Sequence, residues 1–255
     1  MNAAAIAALS RAAVDVEVVA ETGSTNADLL ARASQLRRPT LLIAEHQSAG
    51  RGRAGRSWLS APGDTLTFSL AWQFAGAPQR LLGLPLAVGV ALAEALAALD
   101  VPVRLKWPND LLKDGAKLAG ILIETGGAAD GDTWAVIGVG LNLLMPDQLE
   151  TRIGRAAASA PWLARMDRDA LMAALLDALA AALAQFGQAG FAPFRPRWDA
   201  LHAWHDRPVA IVDHGAVLQH GVARGVDDSG RLLLDTAAGR VAVLAGDVSL
   251  RLGEH

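Results

Sequence analysis

HQSAGRGRAGRSW, residues His46 to Trp58, is the stretch whose reading decides between two architectures. Gly50, Gly52 and Gly55 satisfy G-x-G-x-x-G, the dinucleotide fingerprint of a doubly wound parallel sheet. That fingerprint works only where the first glycine ends a strand and the last opens a helix, so that pyrophosphate meets the helix N-terminus. Here RSWLSAPGD follows, and then LTFSLAW, a β-type run. There is no helix, and no acid about 20 residues past Gly50 to hold a ribose. The spacing is accidental, and the doubly wound fold is set aside.

Arg51, Arg53 and Arg56 crowd the same seven positions, 50 to 56. Three cations are too few for a nucleic-acid backbone, whose affinity grows with each neutralised phosphate, and only Trp58 is at hand to stack on a base. By itself the stretch is either a solvated basic loop or a cradle for a small anion, in which glycines let backbone N–H groups approach and guanidiniums grip phosphate or carboxylate.

Outward from this loop, strands and helices alternate irregularly. VDVEVVAE reads as a strand entering a helix at GSTNADLLARA, where Ser24, Thr25 and Asn26 are helix-cap types. TLLIAEH, LTFSLAW, VRLKW, KLAGILIE and WAVIGVGLNL read as strands, with PNDLLKDG and TGGAADGDT as turns between them. The Ala/Leu run from Pro85 to Leu99 is a helix, RDALMAALLDALAAALAQFGQAGF (Arg168 to Phe191) a long amphipathic one, and FRPRWDALHAWHDR a shorter one. Beyond about Asp206, short β runs joined by DHG, DDSG, AAG and AGD predict a small all-β barrel. The fold class is therefore α+β, with a mixed sheet flanked by helices in residues 1–205 and a small β domain in residues 206–255.

Composition narrows the function. The 255 residues carry a formal net charge of -3, so no global field draws the chain to DNA or an acidic membrane. No cysteine is present, which excludes disulfides and thiol catalysis and fits a reducing cytoplasm. MNAAAIAALSRAA has no basic residue ahead of its apolar run, so it reads as a helix and not a signal peptide. LLGLPLAVGVALAEALAAL is interrupted by Pro85 and Glu94 and reads as a buried helix instead of a membrane span. His202 and His205 lack a further convincing metal ligand, and Trp198 and Trp204 are expected to pack the short helix between the two domains.

Five motifs then occur in order: GSTN (Gly23 to Asn26), AEHQSAGRGRAGRSW (Ala44 to Trp58), KWPNDLL (Lys106 to Leu112), KLAGILIE (Lys117 to Glu124) and IGVGLNL (Ile137 to Leu143). In this the chain resembles the biotin protein ligases, which activate biotin with ATP to biotinyl-5'-AMP and transfer it to a lysine of a carrier protein. The resemblance implies a catalytic mixed sheet followed by an SH3-like barrel. It assigns Ser24, Thr25, Asn26, Gln47, Arg51, Gly52, Arg53, Trp58, Lys117 and Gly120 to biotin, and Arg53, Arg56, Lys106, Asn109, Asp110, Lys117 and Asn142 to ATP. Lys117 and Arg53 are the catalytic pair, Asn142 would read the adenine edge, and Mg2+ would share Asp110. The loop Gly50 to Arg56 is expected to order over the adenylate, its arginines gaining partners only when ligand arrives.

The implied partner is a biotin carboxyl carrier protein of acetyl-CoA carboxylase or another biotin-dependent carboxylase domain, with no nucleic acid or membrane, and the enzyme a cytoplasmic monomer or homodimer. GSTN begins at Gly23, leaving too few residues before it for a three-helix DNA reader, so a monofunctional form is expected. A lipoate or octanoyl transferase and a non-catalytic carrier-binding module are the rival readings.

Overall fold

The computed structural model describes residues 1–127, 131–146, 150–151 and 157–253. Strands β1 (Asp15–Thr22), β2 (Thr40–Gln47), β3 (Thr65–Phe74), β4 (Arg104–Lys106), β5 (Asp110–Lys113), β6 (Ala116–Gly127) and β7 (Thr133–Asn142) form one sheet in the order β1-β2-β3-β7-β6-β5-β4. β1 and β2 pair in parallel; every other neighbour pair is antiparallel. This is the mixed sheet read from the sequence.

Helices cover both faces unequally. On one face lie α1 (Ala3–Leu9), α3 (Leu84–Ala98) and α5 (Arg168–Ala189), with the short α4 (Pro161–Ala164) beside them. On the other, α2 (Thr25–Arg32) has only eight residues and packs Leu29, with Ala33 just beyond it, on Leu42, Ala71, Trp134 and Val136. An α-helix rises about 1.5 Å per residue, so α2 spans only about 12 Å. Half of its sheet face is left to be covered by something else. β7, in the centre, is buried at every position.

Several sequence expectations are revised. DLLK inside the supposed PNDLLKDG turn is strand β5: Leu111 and Leu112 are buried, and the true turn is Asp114 and Gly115, both at positive φ (51° and 80°). A four-residue strand is too short for periodicity to reveal. Of TGGAADGDT, Thr125 to Gly127 close β6, while residues 128–130 lie outside the described residues. Pro85 does not interrupt α3. It occupies the first turn, where its missing N–H costs nothing. Pro78–Ala98 and Arg168–Ala189 are in fact long and apolar enough to cross a membrane by length and composition, yet both are mostly buried against the rest of the fold. The helix drawn through FRPRWDALHAWHDR is only α6 (Arg195–Leu201), after which the backbone turns toward the second sheet.

The second sheet is antiparallel, ordered β11-β10-β9-β8-β12, from β8 (Pro208–Asp213), β9 (Ala216–Val226), β10 (Leu232–Thr236), β11 (Gly239–Val243) and β12 (Ser249–Leu252). It is joined to the first part by buried groups: Trp107 is fully buried and its Nε1 donates to the carbonyl of Gly230 at 3.1 Å. Trp198 is buried in the same core and Trp204 packs at its margin, as expected for the short helix between the two sheets.

Candidate active site

The half-face that α2 leaves open is a cleft of about 640 Å³, its mouth included. Its floor is the even-numbered face of β6 and β7 and the odd-numbered face of β3; its wall is the start of α2; its cover is the loop from Ser48 to Asp64. Alternation along each strand puts Ser69, Gly138, Gly140, Gly120 and Leu122 on that one face. Two of the glycines are there because something must lie flat on the backbone. A Cβ at Gly138 would stand 2.3 Å from Asn26 Oδ1, and one at Gly140 2.2 Å from the Trp58 ring.

One end of the cleft is polar but uncharged. Ser24 caps α2, its hydroxyl accepting from the Ala27 N–H at 3.4 Å, so the next two side chains start the helix pointing into the sheet. Gln47 Oε1 accepts the Thr25 N–H at 2.8 Å. Thr25 Oγ1 lies 2.6 Å from Ser69 Oγ, and Ser69 Oγ donates to Asn26 Oδ1 at 2.6 Å. Asn26 Nδ2 in turn donates to Glu124 Oε2 at 3.0 Å, and the other oxygen of Glu124 pairs with Arg51 Nη2 at 2.8 Å. Thr25, Asn26 and Ser69 are all buried.

The other end is cationic. Lys106 Nζ stands 3.2 Å from Asp110 Oδ2, and Lys117 Nζ bonds Asp110 Oδ1. Burial works to raise the carboxyl of Asp110, but the two ammonium groups outweigh it and hold it below the usual carboxylate range. Burial lowers Lys106 despite Asp110. Arg53 is lowered by burial and by neighbouring Arg56, though a guanidinium stays charged throughout the physiological range. Lys117 also approaches the Trp58 ring, 5.7 Å from its centroid, and Trp58 Nε1 is buried there without a hydrogen-bond partner among the described residues.

Ser24, Thr25, Asn26, Gln47, Arg51, Gly52, Arg53, Arg56, Trp58, Asn109, Asp110, Lys117 and Gly120 all line this cleft. Lys106 lines an adjoining recess, shared with Arg53, Arg56 and, from the second sheet, Ser249 and Arg251. Asn142 is placed elsewhere. At the end of β7, beyond the lining of the cleft, its Nδ2 donates to the carbonyls of Ala158 at 3.1 Å and Lys117 at 3.4 Å and braces the strand that carries Lys117.

The loop also differs from expectation, because its arginines already have protein partners. Arg51 is paired with Glu124, and Arg53 donates to Asn109 Oδ1 at 3.0 Å and to the carbonyls of Ala245, Gly246 and Val248. Gly52 N–H donates to the Arg56 carbonyl at 2.6 Å, and Trp58 N–H to that of Gly50 at 2.8 Å, so the stretch folds back as a closed turn through Ala54 and Gly55 at positive φ. Sequence reasoning missed Ser69 and Glu124. Ser69 carried a usable signal, a hydroxyl in the otherwise apolar centre of β3; Glu124 carried none, since a strand-end glutamate is ordinarily solvated.

His202 and His205 stand 6.0 Å apart by ring centroid, and no group of three or more metal-ligating side chains occurs among the described residues.

Residues 17–142 match the model of the biotin/lipoate A/B protein ligase family and residues 205–251 that of the biotin protein ligase C-terminal domain. The chain belongs to the biotin protein ligase family. It is 38% identical over 247 residues to the biotin--[acetyl-CoA-carboxylase] ligase of Mycobacterium tuberculosis, covering 91% of this chain and 88% of that one. It is 37% identical over 246 residues to the bifunctional ligase/repressor BirA of Escherichia coli, covering 94% of this chain and 75% of BirA. Among solved structures, the biotin protein ligase of Aquifex aeolicus in complex with biotin and ATP superposes with a TM-score of 0.78 at 27% identity, over 93% of this chain and 99% of that one. The α+β architecture is shared with it.

Proposed function

We propose that this ligase adenylates biotin and passes it to a lysine of a biotin carboxyl carrier protein. A single juxtaposition carries the reading: an uncharged hydrogen-bonding end (Gln47, Thr25, Ser69, Asn26) and a cationic end (Arg53, Arg56, Lys106, Lys117) share one cleft and its adjoining recess. Biotin has the matching shape, a urea at one end and a carboxylate at the other.

In the first half-reaction the biotin carboxylate oxygen attacks the α-phosphorus of ATP, the bond to the β-phosphate oxygen breaks, and pyrophosphate leaves. Two anions must be held together, and the cleft supplies the charge for that. Lys117 is placed for the carboxylate and α-phosphate, and Arg53, Arg56 and Lys106 for the remaining phosphates, worth several kcal/mol of transition-state stabilisation in sites of this kind. In the second half-reaction the neutral ε-amine of the carrier lysine attacks the acyl carbon and AMP departs. Between the two, the loop from Gly50 to Trp58 excludes water from the mixed anhydride.

The donor set does not fit a resident metal held by side chains. Asp110 is the carboxylate that the cations Lys106 and Lys117 bond, and both its oxygens are engaged by them. Magnesium would enter with the triphosphate, and the roles above belong to the chain's own cations.

The catalytic unit is taken as residues 1–205 and the carrier- and nucleotide-side accessory sheet as 206–255, acting in the cytoplasm, where ATP and carrier meet. A lipoate ligase would need no urea partners, and the match of residues 205–251 to the biotin protein ligase C-terminal domain favours biotin. Mixing the protein with ATP, labelled biotin and an apo carrier domain should transfer label to the carrier lysine; excess lipoate should not compete. Absence of label on the carrier would reject the proposal.

A further inference from the structure

We infer that Glu124, acting through Asn26 and Ser69, fixes the direction of the hydrogen bonds in the pocket floor so that Thr25 Oγ1 meets the ligand as an acceptor, selecting rings with N–H donors. This rests on the biotin reading and deepens it: Glu124, Asn26 and Ser69 become specificity-determining positions for the urea.

Asn26 Nδ2 faces two acceptors, Glu124 Oε2 at 3.0 Å and the Leu122 carbonyl at 3.3 Å. A carboxylate and a carbonyl have nothing to donate, so the amide must present its NH2 to them and its oxygen to the opposite side. That oxygen lies 2.6 Å from Ser69 Oγ. Two oxygens at this separation need a proton between them, and only the serine has one. The Ser69 hydroxyl is thereby spent. Ser69 Oγ is also 2.6 Å from Thr25 Oγ1, so this second contact has to be made by the threonine's proton. Thr25 Oγ1 is also 3.1 Å from Gln47 Oε1, which has a second lone pair beside the one that takes the Thr25 backbone N–H at 2.8 Å, but the hydroxyl has one proton, and the shorter 2.6 Å contact to Ser69, which has no other proton, claims it.

The chain of donors therefore runs one way, from Thr25 to Ser69 to Asn26 to Glu124. Its open end is the lone pair of Thr25 Oγ1 at the cleft. A ligand must bring a donor there. The ureido N–H of biotin does; a dithiolane or an alkyl chain does not. Gly138 is what permits the arrangement, because any side chain there would collide with Asn26 Oδ1 and push the amide off the floor. Glu124 has a second consequence, since its other oxygen holds Arg51 of the covering loop. The same carboxylate that polarises the floor anchors the cover.

The test uses the full-length protein, biotin, and the cyclic carbonate analogue of biotin in which ring oxygens replace both ureido N–H groups. The variants are Ser69→Ala, which cuts the chain, and Glu124→Gln, which keeps the shape but removes the demand that Asn26 present its NH2. Binding is measured by calorimetry, alongside the KM for ATP in pyrophosphate exchange and the melting temperature.

Wild type should prefer biotin to the carbonate by at least about 100-fold, because a buried acceptor facing an ether oxygen is left unpaired. In Ser69→Ala, biotin should bind about tenfold more weakly, the loss of one buried hydrogen bond, and the preference should shrink to about tenfold or less. Glu124→Gln should shrink it in the same direction. Neither should move the KM for ATP in proportion. A preference unchanged in both variants overturns the inference, as does a wild type that binds both ligands equally. A wild type that does not bind biotin, or gives no biotin-dependent pyrophosphate exchange, instead overturns the ligase reading. Melting temperatures exclude unfolding as the cause of a loss.

Discussion

Arg53 and Ala245 are 192 positions apart in sequence, and the Arg53 Nη2 donates to the Ala245 carbonyl at 2.6 Å. The same guanidinium bonds Asn109 Oδ1 and the carbonyls of Gly246 and Val248. One side chain of the covering loop thus holds both the Trp107–Asn109 turn and the connection between β11 and β12. Hydrogen bonds to a charged donor are worth about 1.5–3 kcal/mol each when removed. Arg53→Ala should therefore raise amide hydrogen exchange in the segment around Ser249–Leu252 by roughly tenfold or more. It should also shorten retention of a pre-formed biotinyl-adenylate, followed as release from a rapidly desalted complex. Wild-type exchange in that segment would show that the carbonyl contacts do not hold the second sheet.

Lys117 and Lys106 share the carboxylate of Asp110, which makes the pair of substitutions Lys117→Gln and Asp110→Asn informative in different ways. Lys117→Gln should lower pyrophosphate exchange by about 100-fold or more with little change in stability, since a cation aimed at the reacting groups is lost. Asp110→Asn leaves two half-buried ammonium groups facing each other and should destabilise the fold by about 3–5 kcal/mol at neutral pH. The folded carboxyl of Asp110 is depressed, so its contribution is present above the ordinary carboxylate range and lost as pH falls through the lower folded value. Denaturant unfolding of wild type and Asp110→Asn should accordingly differ at pH 7 and converge in strong acid. Equal midpoints at pH 7 would contradict the role given to Asp110.

How much of this was legible follows from the range over which each signal acts. The long strands and helices declare themselves by periodicity, and the cations by clustering in GRGRAGR and KWPND, because those features are local. β5 did not, because four residues do not make a period. Nor did the partners of the arginines: Arg53 meets Ala245 and Arg51 meets Glu124 only after the sheet brings distant segments together. The bracing contacts of Asn142 were equally out of reach, since its buried bonds to the Ala158 and Lys117 carbonyls form only once those segments meet.

Gly140 and Trp58 provide a cleaner test of the cleft wall. An added Cβ at Gly140 would fall 2.2 to 2.6 Å from three atoms of the indole, closer than non-bonded atoms tolerate. Gly140→Ala must displace Trp58, and with it the surface on which Lys117 rests. Biotin affinity should fall by about tenfold or more, a cost of the size that overpacking exacts. In a Trp58→Ala background the same alanine should cost almost nothing, giving a coupling energy of at least about 1 kcal/mol in a double-mutant cycle. Additive losses would mean that Trp58 does not lie on Gly140 in solution.

His202 predicts a pH dependence unrelated to catalysis. The residue is 4% exposed, its ring lies tilted by 37° against that of Trp198 with centroids 4.6 Å apart, and neither nitrogen has a hydrogen-bond partner among the described residues. Burial, aided by His205 and opposed by Asp206, lowers it from 6.5 to about 4. Between those two values the unfolded chain binds a proton that the folded protein refuses, so stability is complete above about pH 6.5 and declines as pH falls toward about 4. The decline attributable to this residue is up to about 3 kcal/mol. His202→Leu removes the titration and two unsatisfied nitrogens while keeping an apolar body against Trp198. Its urea midpoint should match or exceed wild type at pH 7.5 and exceed it by a widening margin down to pH 4.5. Parallel midpoints across that range would show that the imidazole is already hydrated or partnered in the folded state.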